Sequence, residues 1–406
     1  MKIVFVGGGI GGLAAAISCV VAGHDALVLE QRNEFTEIGA GIQLAPNAFN
    51  ALDSLGVGDR VRELAVQIDE LRLMDGLEGR VITRLPLDGG YKDQFENPYM
   101  VVHRTDLYYP LLDACRAHPA IELRTSAHVT GYTQDEDTVT VHLADGQMIL
   151  ADALIGADGL HSVIRQQLVG DGSPRISGHS IYRAIVPMEK VPKDLRLNSV
   201  MLWAGPKWHF VHYPIASGKY MNLAATRDDQ ANMAVANEAT PQEKVLAEFS
   251  ALHTEAKRLL QLGENWKKWV LCDRNPVEVW SQGRVTLLGD AAHPMLQYLA
   301  QGACMALEDA VVLGDLMKDI QKAEVAARLV EYNQLRRDRT ARVVTMAREM
   351  GEHVYHAAGM AAKERNTYLG ALDPRDIHKK IDWLHGMRYP FTGETTVEQT
   401  PRQQTA

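Results

Sequence analysis

Three glycines, Gly7, Gly9 and Gly12, stand between a short apolar run, Lys2 to Val6, and a stretch of helical composition, Leu13 to Ala22. Their spacing is G-x-G-x-x-G, and each position has its own physical use. The first glycine permits a tight turn. The second lets a pyrophosphate approach the backbone, and the third lets the helix pack closely on the strand. Gly11 lies in the same turn. Free N–H groups and the helix dipole then favour phosphate at the helix start. A second apolar strand, Ala26 to Glu30, follows, and Glu30 ends it eighteen positions after Gly12. A carboxylate there accepts from a ribose 2′-OH. The plainer alternative is a glycine-rich turn that binds nothing. Strand, turn, helix, strand and acid in one register favour a dinucleotide site.

A second group of reactive side chains lies mid-chain. Trp203, Trp208, His209, His212 and Tyr213 fall within a few residues of one another. On a strand from Trp208 to Pro214, side chains alternate between faces. His209, Val211 and Tyr213 share one face; Trp208, Phe210 and His212 share the other. One face then lines a pocket while the other packs in the sheet. For the strand alone, a satisfied core histidine is the simpler reading. Arg183, in Tyr182-Arg183-Ala184, is a possible carboxylate anchor, although a surface or sheet-edge charge is the role its local sequence favours.

Two later segments separate the dinucleotides. Ala157-Asp158-Gly159-Leu160-His161-Ser162-x-x-Arg165 and Leu288-Gly289-Asp290-Ala291-Ala292-His293-Pro294 each follow an apolar strand. They resemble the DG and GD motifs of the single-component flavoprotein aromatic hydroxylases. His103-Arg104-x-x-Leu107 resembles that family's arginine segment. The resemblance runs over nearly the whole chain and includes Trp383-Leu384-His385-Gly386. It implies FAD as the bound cofactor, with Glu30 on the adenosine ribose, Arg32 and Arg104 along the FAD, and Asp290 at its ribityl or pyrophosphate portion. It also implies that Gly302 and Ala303 turn backbone N–H groups toward the flavin's pyrimidine edge. That role has an independent rationale, because reduced flavin carries negative charge there and a helix start stabilises it. Asp158 has two readings, one at the FAD and nicotinamide site and one as the cap of the turn before Ser162. No second G-x-G-x-x-G opens another βαβ unit, so NADH or NADPH is expected as a visiting co-substrate beside O₂.

Within that family, Gln297-Tyr298-Leu299 most resembles the 3-hydroxybenzoate 6-hydroxylases. Their pocket histidine and tyrosine share the spacing of His209 and Tyr213, which tips the mid-chain strand toward a catalytic role. His293, inside the flavin motif, is expected to be structural. The resemblance implies a flavin C4a-hydroperoxide that hydroxylates a phenolic acid, 3-hydroxybenzoate giving 2,5-dihydroxybenzoate (gentisate). His209 is then the base, Gln297 holds the phenolic oxygen and Tyr213 donates to the carboxylate. Salicylate hydroxylation and 6-hydroxynicotinate 3-monooxygenation are the rival reactions within the family. A flavin-dependent reductase or dehydrogenase that inserts no oxygen is the rival of another class.

These residues need elements to hold them. The pattern predicts an α/β chain: a Rossmann-like FAD-binding domain interleaved with a β-sheet-rich substrate domain, then C-terminal helices. The resemblance implies the fold of para-hydroxybenzoate hydroxylase. The expected divisions are 1–70, 98–175 and 273–329 for the FAD domain, 71–97 and 176–272 for the substrate domain, and 330–406 for the helical tail. The last dozen residues are polar and expected to be loose. The Val330 to Gly351 helix carries Arg336, Arg337, Arg339, Arg342 and Arg348. It reads as a packed helix with a solvated basic face rather than a lipid-binding one.

Composition agrees with an ordinary globular enzyme. The chain has 406 residues, 46% hydrophobic and 23% charged, and 51 acidic against 42 basic residues give a net charge of −9. That balance, without a basic run, excludes nucleic acid as an expected partner. Cys19, Cys115, Cys272 and Cys304 form no CxxC pair, so neither a metal site nor a disulfide framework is expected. Glycines break up the apolar N-terminal segment, so no integral membrane span is expected there. A small aromatic acid as ligand, a cytoplasmic location and a possible homodimer complete the expectations.

Overall fold

The computed structural model describes residues 1–37 and 39–388. The polar end of the chain, expected to be loose, lies outside the described residues. Two large sheets carry the architecture. The first has strands in the order Ser281–Gln282, Val285–Leu287, Ala153–Gly156, Lys2–Val6, Asp25–Leu29, Ile121–Arg124. Lys2–Val6 sits at its centre, parallel to both neighbours. Four of its five residues are buried, as a strand covered on both faces requires. The helices Ile10–Val21, Arg104–Ala117 and Gly302–Met317 cover this sheet, and the resulting core joins Ile3, Phe5, Leu13, Leu111, Val141, Leu154, Leu287 and Leu307.

The second sheet has eight strands in the order Glu238–Ala239, Lys267–Asp273, Arg175–Pro187, Tyr220–Asp228, Trp208–Ile215, Ser199–Gly205, Glu70–Asp75, Val81–Pro86. It is antiparallel apart from the pairing of Ser199–Gly205 with Glu70–Asp75. All eight residues of Trp208–Ile215 are buried, because this strand has neighbours on both edges and packing on both faces. One face joins Trp203, Trp208, Phe210 and Leu223 in a core of its own. The other joins Leu73, Leu202, Val211 and Tyr213.

Several boundaries differ from the sequence reading. The region 242–262 is two short helices, Gln242–Glu248 and Thr254–Leu260, because Phe249 to His253 make a turn between them. The long helix begins at Val325, earlier than Val330, and runs to Glu349. Its arginines also depart from a solvated basic face. Arg336 is fully buried and pairs with Glu308 and Asp309 at 2.8 and 2.7 Å. Arg339 is nearly as buried and pairs with Glu308 at 2.6 Å, and Arg342 stacks on the Trp383 ring at 3.7 Å. Two adjacent acids on the facing helix draw Arg336 and Arg339 inward, while Arg342 stays exposed and Arg337 is part-exposed. Among the described residues no helix is long and apolar enough to cross a membrane.

Candidate active site

A cavity of about 800 Å³ lies between the two sheets. Gly9, Gly11, Arg104, Gly289, Asp290, Gly302 and Ala303 line it from the parallel-sheet side; Arg183, His209, Tyr213 and Gln297 line it from the other. The fingerprint glycines are there for three different reasons. Gly7 has φ +109°, and a Cβ there would meet the Ala157 carbonyl oxygen at 2.3 Å. A Cβ on Gly12 would sit 2.0 Å from the Gly7 carbonyl oxygen, so the third glycine lets helix close on strand. A Cβ on Gly9 would meet nothing within 4 Å, and the same holds at Gly302. Both of these positions face the cavity, and both open helices whose caps make no side-chain hydrogen bond. Two sets of free N–H groups and two positive helix ends therefore meet one space.

Glu30 and Arg32 lie beside the cavity rather than in its lining. The Glu30 carboxylate accepts from the Gly8 N–H at 3.0 Å and from the Arg32 N–H at 2.9 Å, so it also shapes the loop that carries the glycines. Arg32 is exposed, and its guanidinium donates to the Thr36 carbonyl at 3.1 Å. Arg104 pairs with Glu37 at 3.1 Å. Asp158 uses both oxygens on the following helix start. It accepts from Ser162 Oγ at 2.5 Å and from the Val163 N–H at 2.8 Å. The neighbouring Ala157 and Gly159 line the cavity instead.

Behind Gly289 and Gly302 is a buried polar network that the sequence reading missed. Asp309 accepts from the Gly289 N–H at 3.0 Å, from His293 at 2.6 Å and from Arg336 at 2.7 Å. Burial alone would raise the Asp309 carboxyl; His293 and Arg336 outweigh it and hold the group at about 2. Asn47 donates to Gln301 at 2.9 Å and to Glu308 at 2.7 Å, which fixes the residue just before the helix start. Arg339 links Glu308 to the backbone carbonyls of Trp383 and Leu384. The signal was available: Glu308-Asp309 is an acidic pair in the middle of the mostly apolar helix Gly302–Met317. His293, expected to be structural, is buried with its ring bonded to Asp309.

On the substrate side, strand alternation puts His209, Val211 and Tyr213 on the cavity face. His209 is 1% exposed, and its Nδ1 lies 2.8 Å from His356 Nε2. Burial, then the nearby His356 and His179 rings, hold it well below the ordinary imidazole value. Tyr213 is pushed up to about 12 by burial, so it is a donor across the physiological range. Gln297 sits in the short helical turn Gln297–Leu299, which ends at Ala300 with φ +53°. Its side-chain oxygen accepts from Arg183 Nη2 at 2.7 Å. Arg183 is not a sheet-edge charge: Arg175–Pro187 is an inner strand, paired on both sides, and its guanidinium faces the cavity. Burial lowers it, and its Nε has no hydrogen-bond partner among the described residues. The π-helical turn Met350–Tyr355, a rare element that recurs at functional sites, brings Tyr355 and His356 to this wall. No sequence pattern marked it.

The family model described as an FAD binding domain matches residues 1–347. The 3-hydroxybenzoate 6-hydroxylase 1 of Aquipseudomonas alcaligenes is 45% identical, over 95% of this chain and 97% of its own length. The chain belongs to the FAD-binding aromatic hydroxylase family. The 3-hydroxybenzoate 6-hydroxylase of Klebsiella oxytoca is 44% identical over 96% of this chain and 97% of its own. Among solved structures, Klebsiella pneumoniae HpxO complexed with FAD and uric acid has a TM-score of 0.84 at 26% identity. That match covers 94% of this chain and 95% of the other. The residues present suit the FAD of this hydroxylase family. Open space at Gly9 and Gly302 admits the group against bare backbone, and free N–H groups with Arg104 offer donors to its anionic parts.

Proposed function

We propose that the protein hydroxylates 3-hydroxybenzoate para to its hydroxyl, giving gentisate, with FAD bound and NAD(P)H and O₂ consumed. The observation that carries this reading is convergence. His209, Gln297, Tyr213 and Arg183 border the same cavity as the uncapped helix start at Gly302. Bound FAD would accept hydride from the nicotinamide and, with O₂ as oxidant, would supply the electrophilic oxygen.

The chain's own residues prepare the ring. Neutral His209 takes the phenolic proton at the nitrogen not used by His356, and the phenolate activates the ring carbon opposite. Its depressed basicity is offset because the imidazolium forms beside the phenolate it has just made. Gln297 has its oxygen committed to Arg183, so its amide N–H is what it offers the phenolic oxygen. Tyr213, protonated, and Arg183, cationic, suit the carboxylate. Leu202, Val211, Ala224, Leu296 and Leu299 line the space between and keep water from it. The four cysteines are all free, which supports a reducing cytoplasmic setting.

The deciding experiment is His209→Ala in rapid-mixing kinetics. Losing the base slows hydroxylation by ~10²–10⁴-fold. Flavin reduction needs no phenolate and is retained, so NAD(P)H is oxidised with release of hydrogen peroxide. A variant that couples reduction to gentisate as well as the parent removes His209 from the role. Catechol or 2,5-dihydroxypyridine as the preferred product moves the substrate assignment to another ring.

A further inference from the structure

His209 has two ring nitrogens, and only one can serve a substrate. Nδ1 is engaged with His356 Nε2 at 2.8 Å, which leaves Nε2 for the cavity. His356 also lines a second cavity, of about 520 Å³, which opens at the surface beside Glu352, His353, Glu364 and Arg365. The remaining nitrogen of His356, Nδ1, is buried with no hydrogen-bond partner among the described residues, one layer in from the outer cavity that the residue lines. Two imidazoles in line thus lead from the substrate cavity toward the outer one.

We propose that His356 is the second member of a proton relay that carries the phenolic proton from His209 to the surface cavity. The inference rests on the hydroxylase reading above. At the start, His209 Nδ1–H donates to His356 Nε2, and His356 holds its own proton on Nδ1. The substrate O–H breaks as His209 Nε2–H forms. The Nδ1 proton of His209 passes to His356 Nε2, and the Nδ1 proton of His356 passes to water that enters from the outer cavity when the ring swings toward it. Phenolate remains inside, one proton has left, and no electron has moved. When the product oxygen takes a proton back along the same path, both rings return to their starting tautomers.

The surroundings suit a relay of neutral rings. Burial, then the neighbouring His179, lowers His356 to about 3. His179 packs its ring 4.8 Å from that of His356, and its Nδ1 lies 2.5 Å from the Tyr298 hydroxyl. Tyr298 and Tyr355 flank His209, and burial holds both above the ordinary phenol value. The charged groups acting on this cluster are Asp228, Asp229, Arg175 and Glu352, all of them on His179 and Asp228 also on Tyr298. Neither relay ring touches a carboxylate, so neither carries a second proton at neutral pH.

His356→Gln separates relay from mere positioning. Glutamine oxygen can still accept from His209 Nδ1–H, but an amide cannot pass the proton on. The FAD-loaded variant is mixed with 3-hydroxybenzoate, and phenolate absorbance is followed in time. The relay predicts phenolate appearing about tenfold or more slowly, with flavin reduction by NADH unchanged. Imidazole added from solution accelerates FAD-loaded His356→Ala, because the outer cavity admits it. Phenolate formation at the parental rate in His356→Gln overturns the relay. So does an FAD-loaded His356→Ala that is slow yet indifferent to imidazole. A parent that makes no gentisate from 3-hydroxybenzoate refutes the functional reading instead.

Discussion

Replacing Arg183 with methionine tests the electrostatics of the substrate side. The guanidinium is buried against the cavity, donates to Gln297 at 2.7 Å, and makes no ion pair within 4 Å among the described residues. A Trp269 ring 5.9 Å away is a weak partner for a full charge. The cation is therefore desolvated without an anion, which costs free energy until a carboxylate arrives. A charge-assisted hydrogen bond is worth about 1.5–3 kcal/mol, so Arg183→Met weakens 3-hydroxybenzoate by about ten- to a hundredfold. Methionine is long enough to fill the site, and the folded protein loses no ion pair. Its thermal midpoint without substrate should not fall. The assay is a titration of the FAD-loaded protein by flavin absorbance, run with 3-hydroxybenzoate and with its neutral amide. The parent prefers the acid, and the variant loses that preference while binding the amide as before. Equal weakening of acid and amide would show that Arg183 acts only by holding Gln297, and the carboxylate argument would be wrong.

Gly9→Ala and Gly12→Ala separate two functions of one motif. The first leaves the fold intact and weakens FAD, because its Cβ enters open cavity; the second cannot be built without moving backbone 2.0 Å away and lowers soluble yield. Asp309→Asn strips a buried carboxylate from His293 and Arg336, and urea denaturation should show a loss of about 3–5 kcal/mol with earlier FAD release. Burial holds His212, His356 and His385 at about 3, far below their unfolded value. Their contribution is full above pH ~6.5 and is lost as pH falls from there toward about 3. In this window the unfolded chain binds the extra protons, and the three together steepen the loss toward ~4 kcal/mol per pH unit. Thermal melts from pH 8 to 4 check this slope.

The cofactor side was legible because its signals are local. Strand, glycine turn and helix lie within the first twenty-one residues, and each glycine's environment follows from its place in that one unit. The two helix starts could be expected to face one ligand only through the family resemblance, since Gly9 and Gly302 are joined by topology rather than by sequence. The substrate side was partly legible for a related reason. Alternation settles which faces His209, Tyr213 and His212 occupy once the strand is granted. Alternation says nothing of what lies across the gap. Gln297, Arg183 and His356 come from three further segments, and an inner strand looks like an edge strand until its pairing is known. The arginines of the long helix show the same limit. Their i, i+3 spacing was visible, but the buried acids that draw Arg336 and Arg339 inward stand on another helix.

The charges in the pocket argue for a particular substrate ionisation. Arg183 brings one positive charge without a counter-ion, and the imidazoles near it are held neutral. A ligand with one carboxylate and an un-ionised phenol therefore enters a site of matching sign. A phenol already ionised would bring a second negative charge, which the other cations of the lining are poorly placed to meet: Arg72 pairs with Glu70, Arg104 pairs with Glu37, and Lys380 is exposed. The phenolate is then best made inside, after water has been excluded, and the base must be neutral when the ligand arrives. A histidine at its ordinary value would be partly protonated below pH ~6.5 and useless as a base there. Burial removes that competition. The cost is a weaker base, and the outlet through His356 offsets it by letting the captured proton leave rather than return.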